Sequence, residues 1–386
     1  MKHGTILVIS HGQFSGVRQS IVSALRSKGC EVIEEQFTLR VLKLRTLYLL
    51  LMVANALLLY GTGFRRYIQR TPIANWVYSK AHQAFIDRHG NINAVLSMPG
   101  IFLNFHGKKR QNVRYGILTD HVNLLSKFAP EFGFSAPERK VSGVWNRVER
   151  AVLAAQDYNF VMGRFVKDCM VRDYGIDPER IAVTGSGPNL DVDAERDGIA
   201  KDYSRKNILF VGLEAQRKGL PILIRAFERV RERFPEAHLH VAGVEGVSKN
   251  GITYHGVVRG EPLKKLFYDA QVFALPSYRE PFGIVFVEAM WAKTACIGTT
   301  LGAMPEIIED GKTGYIVEPG NADMLAERLI DLFGDPERLK RMAEDGYRAA
   351  KKRLTWGRAA SIVSACLLDG ASGDSVEFPS ADLETS

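Results

Sequence analysis

Two series of alternating apolar strands and helices run along this 386-residue chain, and they limit its fold more than any other feature. In the first series, a predicted strand at 5–9 is followed by a helix at 17–28 and a second strand at 31–34. A strand, a helix and a strand in this order form a βαβ unit, which implies a parallel sheet. The alternation restarts with a strand at 208–211 after a polar stretch. The pattern therefore predicts two α/β domains.

The rest of each series follows the same alternation. The first series continues with strands at 94–96, 115–118, 158–162 and 180–184 and helices at 47–60 and 145–155. The second series continues with strands at 238–242, 271–275, 295–298 and 315–317, helices at 219–234, 262–269, 284–292 and 322–333, and a last helix at 356–368.

The polar, aperiodic segment 188–206 is where we place the connection between the domains. We expect one Rossmann-like domain over 1–200, with the C-terminal helix 356–369 packed back on it, and another over 201–355. Ligands of doubly wound sheets bind outside the carboxyl ends of the strands, so the active site is expected in a cleft between the facing domains. The Ser-, Asp-, Glu- and Gly-rich tail 370–386 is predicted to be disordered.

The net charge of +8 is concentrated in the first half of the chain. Residues 1–198 hold 26 Lys and Arg against 17 Asp and Glu, whereas the remainder holds 25 against 26. No Asp or Glu occurs between Gln36 and Ile86. That window contains seven basic residues, namely Arg40, Lys43, Arg45, Arg65, Arg66, Arg70 and Lys80.

The apolar run 47–60 lies inside this acid-free window. It is shorter than the roughly 20 apolar residues that a membrane-spanning helix needs, so a buried or interfacial helix is expected instead. Docking of 40–70 on an anionic membrane surface is one interpretation, and a buried domain helix with ordinary basic flanks is the other. Nucleic acid is not an expected partner, because no aromatic–basic interleaving occurs.

The cysteines and the N-terminus favour a cytoplasmic protein, with peripheral attachment to the inner face of the membrane if docking holds. Cys30, Cys169, Cys296 and Cys366 are far apart and form no C-x-x-C pair, so neither a zinc site nor a disulfide framework is indicated. The first residues lead straight into a strand, and no signal peptide is recognised.

The stretch 276–290 combines a glycine and two carboxylates at the start of a predicted helix. The first N–H groups of a helix have no intrahelical acceptor, and the helix dipole favours an anion there. Pro281 suits the helix entrance, and Gly283 allows a ligand to approach the backbone. The carboxylates of Glu280 and Glu288 would repel a phosphate bound nearby, so their presence suggests another role, such as binding sugar hydroxyls. The stretch therefore suggests a nucleotide-sugar enzyme.

This motif, Glu280-x7-Glu288 with Pro281-Phe282-Gly283, resembles that of the family 4 glycosyltransferases, which have the two-domain GT-B fold. The resemblance covers most of the chain and is strongest over 207–320. It implies that Glu280 lies beside the donor sugar and that Glu288 accepts hydrogen bonds from the ribose. It also implies that the backbone N–H groups near Gly283, Ile284 and Val285 meet the diphosphate.

A second constellation lies between the strand at 208–211 and the next helix. Lys218 matches the lysine of the family's Gly-x5-Lys-Gly pattern, which begins here at Gly212. Preorganised cations can stabilise a leaving diphosphate. Leu213 stands where many relatives carry an arginine, and Arg217 is the candidate substitute. A solvated Arg-Lys pair at a helix start is the alternative for both cations.

Two further loops of the first domain carry candidates. The usual Gly-Gly of the family's glycine loop appears here as Ser15-Gly16, and in relatives this loop packs against the donor diphosphate. Asp120 and His121 follow the strand at 115–118, where relatives place a residue facing the transferred sugar. Either of them could face inward, and a capping role is the alternative. His11 is a weaker candidate.

The reaction expected from the resemblance is transfer of a hexose from a nucleotide diphosphate sugar to an acceptor hydroxyl, with retention and without a metal or other cofactor. The first domain would bind a glycan or lipid-linked acceptor, in cell-surface polysaccharide or glycolipid synthesis. The donor base and sugar, UDP-, GDP- or ADP-linked, stay open. The alternatives are a GT-B nucleotide-sugar epimerase and a non-catalytic nucleotide-sugar-binding protein.

Overall fold

The computed structural model describes residues 4–10, 16–61, 65, 68–69, 71–98, 109–128 and 136–376. The chain divides into two compact units. The N-terminal unit comprises Met1–Gly185 and Trp356–Phe378, and the C-terminal unit is built on Ser186–Thr355. The described part of each unit contains one parallel sheet of six strands, which confirms the predicted α/β class.

The strands are numbered along the chain. Those of the N-terminal sheet are β1 (Thr5–Ser10), β2 (Glu31–Gln36), β3 (Ala94–Met98), β4 (Arg114–Thr119), β5 (Tyr158–Val161) and β6 (Ile181–Val183). Those of the C-terminal sheet are β7 (Asn207–Val211), β8 (His238–Ala242), β9 (Ile252–Tyr254), β10 (Val272–Ala274), β11 (Ala295–Thr299) and β12 (Gly314–Val317). β3, β10 and β11 are buried along their whole length, as expected for parallel strands covered on both faces.

The helices are also numbered along the chain. In the first half they are α1 (Val17–Ser27), α2 (Arg45–Tyr60), α3 (Pro72–Arg88), α4 (Ala136–Ala155) and α5 (Arg164–Tyr174). In the second half they are α6 (Leu220–Arg233), α7 (Glu261–Asp269), α8 (Ile284–Trp291), α9 (Met304–Ile307), α10 (Ala322–Gly334), α11 (Pro336–Arg353) and α12 (Trp356–Ser364). In the described ranges, none of them has both the length and the apolar character that crossing a membrane requires.

The strand order identifies the crevice of each sheet. The N-terminal order is β2-β1-β3-β4-β5-β6, so the chain reverses direction between β1 and β3. The C-terminal order is β12-β11-β10-β7-β8-β9, which places the reversal between β7 and β10. Ligands of such sheets bind at this switch point, outside the carboxyl ends of the strands. The loops that follow β7 and β10 are therefore the ones to inspect.

The C-terminal segment returns to the N-terminal unit. α12 packs on α1, and the Arg114 guanidinium donates to the carbonyls of Leu367 and Leu368 at 3.1 and 3.0 Å. The tail was predicted to be disordered from residue 370, but 370–376 is held in place by the Gly373 amide, which donates to the Glu179 carbonyl at 2.8 Å. Asp374 also pairs with Lys167. Residues 377–386 lie outside the described ranges.

The segment 188–206, predicted as the connection between the domains, packs on the C-terminal unit. The buried Lys201 ammonium donates to the carbonyls of Phe267 and Ala270 at 3.0 and 2.7 Å. Burial lowers the pKa of Lys201 well below its usual value. The Ala194 amide donates to the Trp291 carbonyl at 3.0 Å. Hydrogen bonds to backbone carbonyls therefore hold this segment, although its sequence shows no periodicity.

Candidate functional site

Three loops meet at the carboxyl edge of the C-terminal sheet. They are 212–219 after β7, 275–283 after β10 and 300–303 after β11, and the three strands are neighbours. The Tyr278 amide donates to the Arg217 carbonyl at 3.0 Å and joins the first two loops. The Thr299 hydroxyl donates to the Ser277 carbonyl at 2.9 Å. The Ala303 amide donates to the Pro281 carbonyl at 3.2 Å, so the third loop is tied to the second.

Lys218 and Glu280 form an ion pair at the switch point between β7 and β10. Both side chains are largely buried, with 12% and 9% of their surface exposed. A partly desolvated pair of this kind persists because each charge compensates the other. The sequence assigned both residues to catalysis from different motifs, and the fold brings them into direct contact.

Two glycines permit this close approach of the loops. Gly219 has a φ of 74°, and a Cβ atom there would lie 2.0 Å from the Pro276 carbonyl oxygen. Gly302 has a φ of 64°, and its Cβ would lie 1.9 Å from the Glu280 carbonyl oxygen. A side chain at either position would combine backbone strain with a collision against backbone atoms. The loops therefore require glycine at both positions.

The N-terminus of α8 opens directly after Gly283. Gly283 has a φ of 81° and caps the helix without a side chain. Its carbonyl accepts the Phe286 amide at 2.9 Å. The amides of Ile284 and Val285 belong to the first turn, where helix geometry provides no intrahelical acceptor. The Lys218 ammonium lies on the neighbouring loop, so a cation and a helix N-terminus occur on the same edge of the sheet, and both are groups that favour an anion.

Arg217 braces the loop after β7. Its guanidinium donates to the Arg279 carbonyl at 2.6 Å and to the Glu214 carboxylate at 2.5 Å. The hydrogen bond from Arg217 lowers the pKa of Glu214. Leu213, at the position where the family resemblance predicts an arginine, is 70% exposed. Arg217 thus joins two loops. Gly212 packs against the aliphatic part of Lys218, and a Cβ atom added at Gly212 would lie 3.0 Å from the Lys218 Cγ atom.

Glu288 is buried one turn further along α8. Its Oε1 accepts the amides of Asn189 and Leu190 at 3.2 and 3.0 Å. Burial raises the pKa of Glu288 to about 7, and the two amide hydrogen bonds oppose this shift. Sequence reasoning missed Asn189 and Leu190 as partners, since both contacts are made by backbone atoms.

The remaining candidates belong to the N-terminal unit. Gly16 caps α1 with a φ of 84°. Asp120 and His121 are half-buried and directly follow β4. The Thr119 hydroxyl donates to the His121 carbonyl at 2.8 Å, which fixes the turn that carries both side chains. His11 and Ser15 lie outside the described residues.

Comparison with known families matches the C-terminal unit. Residues 191–349 match the family described as Glycosyl transferases group 1. A D-inositol 3-phosphate glycosyltransferase of Corynebacterium aurimucosum is 27% identical over 237 residues, which cover 54% of this chain and 55% of the relative. An uncharacterized glycosyltransferase of Methanocaldococcus jannaschii is 36% identical over 154 residues, 36% of this chain and 39% of the relative. The matched regions thus span about half the length of these curated relatives, or less.

Solved structures match nearly the whole chain. Sucrose-phosphate synthase of Thermosynechococcus elongatus superposes with a TM-score of 0.65 at 18% identity, covering 94% of this chain and 98% of that one. Anabaena HepE, solved in complex with UDP-glucose, gives 0.62 at 14% identity, covering 95% and 100%. The fold is GT-B. These findings do not favour the nucleotide-sugar epimerase alternative.

Proposed function

We propose that this chain transfers a sugar from a nucleotide diphosphate sugar to an acceptor hydroxyl. The observation that carries the proposal is the Lys218–Glu280 ion pair beside the start of α8. A cation and a helix N-terminus suit a diphosphate, and an adjacent carboxylate suits sugar hydroxyls. The match of 191–349 to the group 1 glycosyl transferases supports the same reaction class. HepE, of similar fold, was solved in complex with UDP-glucose, a ligand of the proposed donor class.

In the proposed donor complex, the amides of Ile284 and Val285 and the backbone around Gly283 hold the diphosphate. Lys218 stabilises the charge that develops on the leaving phosphate. Glu280 lies beside the transferred sugar. An arriving diphosphate competes with Glu280 for the ammonium, so donor binding would release this carboxylate toward the sugar hydroxyls.

Glu288 is proposed to accept hydrogen bonds from the ribose hydroxyls. Only the ionised carboxylate can accept from both hydroxyls, and its pKa near 7 means that ionisation is incomplete at neutral pH. Nucleotide affinity should therefore rise with pH through about 7 and level off once the Glu288 carboxyl is fully ionised.

The N-terminal unit is proposed to bind the acceptor. Gly16 would pack against the donor diphosphate, and Asp120 or His121 would face the transferred sugar. Attack on the front face of the sugar, with the leaving phosphate accepting the acceptor's proton, would give retention. A diphosphate is a good leaving group, so the proposed mechanism uses no metal and no dedicated acid.

The test of the proposed function is a thermal-shift panel with UDP, GDP, ADP and their sugars, followed by turnover measurements with the stabilising donor. Glu288→Ala should abolish most of the nucleotide shift. Glu280→Gln should keep the shift but lower turnover by about 100-fold or more. Lys218→Met should lower turnover similarly and should also reduce the nucleotide shift, because the diphosphate loses its cation.

Two substitutions serve as matched controls for this experiment. Glu214→Gln removes an exposed carboxylate from the same loop region, and Lys265→Met removes an exposed ammonium from α7. Both should retain turnover within a few-fold of the unmodified chain. If no nucleotide stabilises the chain, or if Glu280→Gln has full turnover, the proposed function is wrong.

A further inference from the structure

The helix α2 turns leucines toward solvent along most of its length. Leu50 is 62% exposed and Leu58 is 84% exposed. The exposed leucines of the helix and of its N-cap are Leu44, Leu47, Leu49, Leu50, Leu51, Leu57 and Leu58. Helical spacing places Leu47, Leu50, Leu51, Leu57 and Leu58 on one side of α2, and we call these five residues the leucine face. A contiguous apolar surface of this kind marks an interaction site, whereas single exposed leucines do not.

The opposite side of α2 anchors the helix, so the exposure of the leucine face is fixed by packing. Met52 is 2% exposed and packs with Ala74, Val77 and Tyr78 of α3. Ala56 is fully buried on the same side. Rotating the helix to hide the leucines would expose this core.

Basic and aromatic side chains border the leucine face. Arg40, Lys43 and Arg45 are exposed at its N-terminal end. On α3, Trp76 is 45% exposed, its ring meets the ring of Tyr48 edge-on at 5.5 Å, and the Lys80 ammonium lies 5.4 Å from its centroid. Tryptophan, tyrosine and lysine in this arrangement are typical of the level of lipid headgroups.

We propose that the leucine face docks α2 in the plane of an anionic lipid bilayer. The leucines would enter the boundary between headgroups and acyl chains, and the basic side chains would meet the lipid phosphates. The helix has 16 residues and is roughly 24 Å long, less than the hydrocarbon core of a bilayer, so it lies on the membrane.

A second copy of the chain is a poorer occupant of the leucine face. A two-fold interface with parallel helices would bring the Arg40, Lys43 and Arg45 groups of both copies close together, and an antiparallel one would leave each basic group facing a helix without acidic residues. The sequence from Gln36 to Ile86 contains no Asp or Glu to compensate them. An anionic membrane removes this repulsion. Docking on a membrane does not depend on the proposed transfer reaction. If the chain also catalyses that reaction, docking implies that the acceptor hydroxyl belongs to a lipid-linked molecule, and this second step rests on the proposed function.

The experiment is flotation of the purified full chain with vesicles of phosphatidylglycerol and phosphatidylcholine, or of phosphatidylcholine alone. We expect binding to the anionic vesicles that weakens with salt. The double substitution Leu50→Glu/Leu58→Glu should lower the partition coefficient by at least about tenfold. Lys43→Glu/Arg45→Glu should lower it only on anionic vesicles. Val247→Glu, at a 78% exposed valine of the C-terminal unit, is the matched control and should float like the unmodified chain.

Three results would overturn the docking proposal. They are equal flotation of the leucine variant, equal binding to both vesicle types, and a dimer in light scattering that the leucine variant dissociates while vesicles are not bound. A thermal melting curve without nucleotide is measured on the same samples to show that each variant is folded, and the nucleotide thermal shift is measured beside it. If the unmodified chain floats with vesicles but shows no nucleotide shift, only the proposed function is contradicted. If it shows a nucleotide shift but does not float, only the docking proposal is contradicted.

Discussion

At the carboxyl edge of the C-terminal sheet, charged side chains are buried away from water. On the leucine face of α2, apolar side chains are exposed to water. At the edge, Glu280 and Glu288 are buried, and each has partners, Lys218 for the first and two backbone amides for the second. On α2, leucines are exposed while Met52 is buried one turn away. Both regions depart from the usual distribution of side chains, in opposite directions.

The difference concerns how each region remains stable. Buried charges require fixed partners, so the edge is built from loops that are tied together and cannot move apart cheaply. Exposed leucines require only that the other side of the helix is well packed. Substitutions at the edge should therefore affect stability strongly, and those on the leucine face should affect it little.

The largest expected effect is that of Gly302→Ala. The new Cβ would lie 1.9 Å from the Glu280 carbonyl oxygen at a φ of 64°, so the loops must separate. We expect the free energy of unfolding to fall by about 3 kcal/mol or more, measured by urea denaturation. Gly334→Ala at the end of α10 is the control, because a Cβ there meets nothing within 4 Å. Equal stability of the two variants would show that the loops are not closely packed.

The next largest effect is the pH dependence that Glu288 gives to the free energy of unfolding. The folded protein favours the protonated form of Glu288. The contribution of Glu288 to the free energy of unfolding is therefore fully present below pH 4.5 and is lost as the pH rises through about 7. Gln cannot ionise and still accepts an amide hydrogen bond. Glu288→Gln should therefore be more stable than the unmodified chain at pH 8, by up to about 3 kcal/mol.

Urea denaturation at pH 8 and pH 5 checks this prediction. The stability gain of Glu288→Gln should shrink toward pH 5, where both side chains are largely neutral. A gain that is the same at both values would mean that the carboxyl group titrates normally despite its burial. Glu214→Gln, which removes an exposed carboxylate, should show no gain at pH 8.

On α2, buried and exposed positions should respond differently. Met52→Ala removes atoms from the core shared with α3 and should cost at least about 2 kcal/mol of stability. Leu58→Ala, at an 84% exposed position, should change stability by less than about 0.5 kcal/mol. Thermal denaturation of both variants measures the difference. A large loss at Leu58 would mean that the leucine face is covered within the chain.

A smaller loss of stability than at Gly302 or Met52 is expected at Arg217, which braces the edge from its more exposed side. Arg217→Ala removes the hydrogen bond to the Arg279 carbonyl and the pair with the exposed Glu214. The expected loss of stability is about 1 kcal/mol in urea denaturation. Turnover should fall far less than in Lys218→Met if Arg217 acts as a brace. Equal losses of turnover would assign Arg217 to the diphosphate.

Much of the architecture could be predicted from the sequence because parallel strands are continuous apolar runs. Each strand from β1 to β12 except β9 was predicted near its observed position. α3 was not predicted, because its buried residues lie on several sides of the helix and include polar ones such as Ser79 and His82, so its sequence has no clear helical period. α5, α9 and α11 were also missed.

The sequence by itself singled out Gly283, the two glutamates of the 276–290 stretch and Lys218, because their spacing within local motifs marks them as candidates. Only the tertiary structure decided that Lys218 meets Glu280, that the amides of Asn189 and Leu190 bind Glu288, and that α2 faces its leucines outward. These contacts join residues far apart in the chain or depend on which side of a uniformly apolar helix is packed. A local pattern does not encode either of them.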